Sequence, residues 1–110
     1  MPADQPTGRT SLTVTLERDG AAVRLVAIGE VDASTVQLLR DSLSAALADG
    51  VPTVVIDLAG VRYLDSAGVG ALVHAHNGTT ARGGSLTVAN PQPMVHRVLE
   101  VVGVLALLTR

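Results

Sequence analysis

The chain has 110 residues, 47% apolar and 16% charged, with a formal net charge of −2, so it is long and apolar enough for one hydrophobic core and does not have the composition of a disordered segment. Every basic residue is Arg and there is no Lys or Cys, which excludes Schiff-base chemistry, a P-loop lysine, a lysine-dependent phosphate switch, disulfides, thiolate catalysis and cysteine-ligated zinc. Tyr63 is the only aromatic residue, so the core has to be built from Val, Leu, Ile and Ala, and nucleic-acid binding by base stacking or by an overall positive field is not expected.

Residues 1–10 are polar, contain two prolines and read as a flexible tail without the apolar stretch of a secretory signal. Ser11 to Arg18 alternates, with Leu12, Val14 and Leu16 on one face, and predicts a half-buried strand. Asp19-Gly20 signals a tight turn, and Val23 to Ile28 supplies the second strand of an antiparallel hairpin. Gly29-Glu30-Val31-Asp32 leads into a helix start, where Ser34 and Gln37 fit a capping box. Val36, Leu39, Leu43 and Ala46-Leu47 then recur at helical spacing until Gly50 and Pro52 end the helix.

Thr53 to Leu58 lacks alternation and predicts a central strand buried on both faces. The spacing of Val69, Leu72, Val73 and His76 predicts a helix from Ser66 to Ala81, broken by Gly83-Gly84. Leu86 to Ala89 is a short strand, Gln92 to Val102 a third helix stopped by Gly103, and Val104 to Leu108 a final short strand. The order β-β-α-β-α-β-α-β predicts an α/β fold in one domain, residues 11–110, with a mixed, mostly parallel sheet. No apolar run reaches the roughly eighteen residues of a membrane-spanning helix. A soluble, cytoplasmic protein without membrane insertion is the expectation.

The segment Tyr63-Leu64-Asp65-Ser66-Ala67-Gly68-Val69-Gly70 carries the most chemistry. Asp65 and Ser66 are both good N-caps, and ordinary capping is the plain reading. Gly68 and Gly70, however, each cost about 1 kcal/mol relative to Ala inside a helix. A surface that another protein must approach closely would explain them, with tight packing on the sheet the competing explanation for one. Glu30 and Asp32 precede a helix that their charge complements. Because both loops follow parallel strands, they are expected at the same sheet edge, where ligands of open α/β sheets bind.

Other constellations carry less. Asp57 invites comparison with aspartate-phosphorylated receivers, but the missing lysine argues against that and leaves a hydrogen-bonded, loop-orienting carboxylate. His74 and His76 are two apart on a helix and point to nearly opposite sides, so they cannot share one metal ion. Ser66 lacks the Gly-x-Ser-x-Gly surround of a nucleophile elbow, and Gly68-x-Gly70 lacks the third glycine of a dinucleotide fingerprint. No catalytic activity, metal or cofactor is expected.

The chain resembles the STAS family, specifically the bacterial anti-sigma factor antagonists. The resemblance runs through Gly29-Glu30-Val31-Asp32, Val55-Ile56-Asp57-Leu58-Ala59-Gly60-Val61, Leu64-Asp65-Ser66-Ala67-Gly68-Val69-Gly70, and Asn90-Pro91 before Val95-His96-Arg97-Val98-Leu99-Glu100 and Gly103. It implies that Ser66 is phosphorylated by a partner that is both anti-sigma factor and serine kinase. It also implies that the unmodified form binds this partner and frees a sigma factor, and that a PP2C-type phosphatase restores the active form. Glu30, Asp32, Asp65, Ser66, Ala67, Gly68 and Gly70 are the expected partner-binding residues. Many relatives have a second serine where Ala67 stands, and many carry a further helix after the last apolar run, which Arg110 follows closely here. A phosphorylation-independent adaptor in a transporter or stress-signalling complex is the alternative, and a small hydrolase using Ser66 a third reading.

Overall fold

A computed structural model describes residues 11–48 and 53–109. The predicted tail and the predicted helix stop at Gly50 and Pro52 lie outside them. The element order is β1 (Leu12–Asp19), β2 (Ala22–Val31), α1 (Val36–Ala48), β3 (Thr53–Leu64), α2 (Ser66–Ala81), β4 (Ser85–Ala89), α3 (Pro93–Val101) and α4 (Leu105–Thr109). The four strands form one sheet in the order β1-β2-β3-β4. β1 and β2 are antiparallel, whereas β2 with β3 and β3 with β4 are parallel. Gly20, at a φ of 63°, opens the two-residue turn of the hairpin.

One face of this sheet is closed and the other is open. Along β2, Val23, Leu25, Ala27 and Val31 are buried, while Arg24, Val26, Ile28 and Glu30 between them are half-buried or exposed. β3 repeats the pattern: Val54, Ile56 and Leu58 are buried, and Val55 and Asp57 only half-buried. The expectation of a central strand buried on both faces is therefore corrected. Its valines suggested a doubly covered strand, but the helices cover a single face, as in many antiparallel sheets. That closed face holds an aliphatic core of Leu25, Ile56, Leu58, Leu64, Leu86 and Val54 from the strands with Leu39, Leu72, Leu99 and Leu108 from the helices. Each such side chain contributes about 1.5–3 kcal/mol on burial, and no aromatic ring takes part, as the composition required.

β3 is longer than the apolar run that announced it. It continues six residues past Leu58, as far as Leu64, and its register against β2 shifts twice, between Val26 and Ile28 and between Gly29 and Glu30. At each shift β3 contributes one residue more than β2, which is the signature of a bulge. After both, Val31 lies opposite Leu64, so the two strands end level.

Helix ends follow their local chemistry. α2 closes at Gly83 (φ 81°), where Gly84 N donates to Thr79 O at 2.9 Å and Gly83 N to Thr80 O at 3.0 Å. α3 closes the same way at Gly103 (φ 80°), with Val104 N on Leu99 O and Gly103 N on Glu100 O. Both are Schellman closures. The second turns the chain into α4, so the predicted strand over Val104–Leu108 is instead a short helix. Leu108 N donates to Val104 O at 3.0 Å, and Leu108 itself is fully buried. The rest of the predicted α/β architecture stands.

Candidate functional site at the strand ends

The level ends of β2 and β3 bring two strand-to-helix turns together. Asp65 N donates to Val31 O at 3.1 Å, tying the β3–α2 turn to the last residue of β2. Asp65 is the N-cap of α2, with extended backbone (φ −107°, ψ −170°), and its Oδ1 accepts from Ala67 N at 2.9 Å and Gly68 N at 3.3 Å. The capping role thus falls to the aspartate. Ser66, the first helical residue, is exposed, and its hydroxyl has no hydrogen-bond partner among the described residues.

The two glycines have different causes. A Cβ on Gly68 would run into Leu64 Cδ1 and stand 2.8 Å from Val31 Cγ1, both fully buried side chains. Tight packing of α2 on the sheet accounts for this glycine. A Cβ on Gly70 would meet nothing within 4 Å, and the residue is exposed. No contact among the described residues requires a glycine there. Ala67 is half-buried beside them.

The neighbouring turn uses the same chemistry one step earlier than the sequence suggested. Asp32 Oδ1 accepts from Ser34 N at 2.8 Å, Ser34 Oγ at 2.7 Å and Thr35 N at 3.2 Å. In return Asp32 N donates to Thr35 Oγ1 at 3.0 Å. This reciprocal pair is the capping box, so the predicted Ser34–Gln37 pairing is corrected, and Gln37 instead donates to Asp41 at 2.9 Å. Thr35 Oγ1 also donates to Glu30 O at 2.8 Å.

Glu30 is half-buried and forms an ion pair with Arg62 of β3 at 2.9 Å. Of the residues singled out from the sequence, Glu30, Asp32, Asp65, Ser66, Ala67 and Gly70 share one edge of the molecule, with Gly68 buried beneath them. Arg62, Thr35 and the Val31–Leu64 pair were missed. Nothing local marks them, because their roles depend on a register that only the paired strands define.

Asp57 lies away from this edge, where β4 ends its pairing with β3. Its carboxylate accepts from Ala59 N at 2.9 Å, from Arg24 at 2.6 Å and from Asn90 at 3.4 Å. The Ala59 backbone bond, helped by Arg24 and Asn90 against the cost of partial burial, holds its pKa below the ordinary aspartate range. It is a hydrogen-bonded, loop-orienting carboxylate, as its position suggested. The histidines diverge too: His76 Nδ1 lies 3.0 Å from Leu86 O of β4, while His74 lines a groove of about 470 Å³ between α1 and α2. No helix among the described residues is long and apolar enough to cross a membrane.

Known proteins are similar to this chain in sequence and in fold. Residues 14–109 match the family described as Mlab, STAS domain. An anti-sigma F factor antagonist of Lysinibacillus sphaericus is 32% identical over 87 residues, spanning 78% of this chain and 73% of the relative. The crystal structure of an anti-sigma factor antagonist from Mycobacterium paratuberculosis superposes with a TM-score of 0.79 at 26% identity, over 86% of this chain and 80% of that one. The unphosphorylated anti-sigma factor antagonist SpoIIAA gives 0.77 at 26% identity, over 89% and 86% of the two chains. Its phosphorylated form, from Bacillus, gives 0.71 at 25%, over 89% of each. With a match that runs from the first strand to the last helix, and the same fold in independently solved relatives, this chain belongs to the STAS domain family.

Proposed function

We propose that this protein is an anti-sigma factor antagonist whose switch is Ser66. Residues 11–110 act as a single cytoplasmic STAS domain. In the unmodified state it binds an anti-sigma factor that is also a serine kinase, and the sigma factor is freed. Phosphorylation of Ser66 ends the binding, and a PP2C-type phosphatase restores it. The observation that carries this reading is the exposed Ser66 hydroxyl, without a hydrogen-bond partner among the described residues, at the mouth of α2 and beside the open position at Gly70.

The chemistry of the turn supports a switch made by charge. A phosphate adds about −1.5 to −2 charge. The helix N-terminus favours an anion, but Asp65 already occupies Ala67 N and Gly68 N. A second anion therefore sits next to the first in the free protein, tolerated because water screens it. A docked partner would exclude that water. Moving a complex from 99:1 to 1:99 takes about 5.5 kcal/mol, within reach of a desolvated charge without any refolding.

A hydrolase would need a base within hydrogen-bond reach of the Ser66 hydroxyl, and no side chain among the described residues is hydrogen-bonded to it. The direct test is to incubate the protein with the anti-sigma factor kinase of the same organism and ATP, then map the product by peptide mass. One phosphate on Ser66 is expected. Ser66→Ala should keep binding and lose the modification, and Ser66→Asp should weaken binding. Phosphate on another residue with Ser66 untouched would overturn the reading, as would capture of a transporter subunit in place of an anti-sigma kinase.

A further inference from the structure

The open face of the sheet is not uniform. At the end remote from Ser66, Arg24 lies opposite Glu17 in the ladder and pairs with Asp57 at 2.6 Å, so that end is charged. At the Ser66 end two large apolar side chains stand in water, Ile28 at 55% exposure and Tyr63 at 41%. They are neighbours: Ile28 lies opposite Gly60, and two positions further along β2 Glu30 lies opposite Tyr63. Gly60 keeps the space between them low, since a Cβ there would stand 2.8 Å from Ile28 Cγ1. The Glu30–Arg62 ion pair borders the patch.

We infer that Tyr63 and Ile28 form a second half of the surface gripped by the anti-sigma factor, continuous around the strand ends with the Ser66 turn. This inference rests on the partner-switching reading above. Continuity is the first argument: Tyr63 is three residues before Ser66 on the same strand-to-helix connection, and Glu30 belongs to both surfaces. The second is composition. Interface anchors are enriched in Tyr and ringed by polar groups that exclude water, and here the only aromatic residue of a chain with an aliphatic core is left outside it. The occupant is a protein offering an apolar cleft to the Tyr63 ring, with a polar rim to meet Glu30 and Arg62. Phosphorylation then acts on half of the surface, so the modified protein retains a weak grip through Tyr63.

The experiment measures the affinity of the purified anti-sigma factor kinase for four variants, Tyr63→Ala, Tyr63→Phe, Glu17→Ala and Ser66→Asp. Thermal unfolding is run on each, and sedimentation on the antagonist alone. Tyr63→Ala should weaken binding by about tenfold or more, the range of an interface anchor, with its melting temperature close to that of the unchanged protein. Tyr63→Phe, which keeps the ring, and Glu17→Ala, on the same face but at its charged, remote end, should bind normally. If Tyr63→Ala binds normally while Ser66→Asp is weakened, the second half is overturned and the Ser66 switch stands. If neither weakens binding, both readings fall. If Tyr63→Ala disrupts self-association and leaves kinase affinity unchanged, the patch serves a second copy of this chain and the inference is wrong.

Discussion

The turns after β2 and β3 are built alike and end differently. In each, an aspartate follows the last strand residue and caps the helix through its carboxylate. In the first, Asp32 takes up the Ser34 hydroxyl, and Thr35 is held by the backbone of Asp32 and Glu30. In the second, Asp65 binds backbone alone and leaves Ser66 unclaimed. One turn consumes its hydroxyls in holding itself together, and the other keeps one in reserve. The contrast shows that a serine beside a helix cap is no signal by itself. What separates the two serines is whether the cap needs the oxygen: Asp32 takes up that of Ser34, and Asp65 leaves that of Ser66.

Substitutions in the two turns test this comparison. The largest effect is expected at Gly68→Ala, where the added methyl group meets Leu64 and Val31 in a closed core. Overpacking of this kind costs about 1–3 kcal/mol, read as a lower midpoint in urea unfolding with an unchanged slope. Next come the caps. Asp32→Ala and Asp65→Ala should each cost about 0.5–2 kcal/mol, with Asp32→Ala the more damaging because it also releases the Ser34 hydroxyl and its half of the reciprocal box. Equal losses would erase the distinction between the closed turn and the open one. The smallest change is expected at Gly70→Ala, which should stabilise α2 by about 0.5–1 kcal/mol because nothing obstructs the new methyl group. A destabilised Gly70→Ala protein in the same unfolding assay would mean that this glycine has a contact in its own chain after all.

Much of this was legible from the sequence. The bounds of α2 follow from the Asp65-Ser66 start and the Gly83-Gly84 stop, and the shared edge of the two loops follows from parallel strands. Three features were not. The five apolar residues before Thr109 satisfy a strand or a helix equally well, and only the Schellman closure at Gly103 decides between them. Asp32 displaces Ser34 from the cap because Thr35 can answer it. The double shift in β3 has no marker in composition, since it depends on how β2 lies against it, and with it went Arg62 and the knowledge of which glycine packs on the sheet. The site was thus visible as a set of residues, while its geometry was hidden in the pairing.

The two bulges of β3 make its second half a ruler. Each residue of a strand advances the chain by about 3.3 Å and reverses its facing. Each bulge adds one residue to the alternation, so Leu58, Val61 and Leu64 are buried at intervals of three, and a change of length that breaks this spacing would turn Leu64 outward, empty the seat under Gly68 and retract Ser66. Variation in this stretch should therefore be tolerated in spelling and punished in length, which is a practical instruction for anyone building libraries or grafting new specificities onto this scaffold.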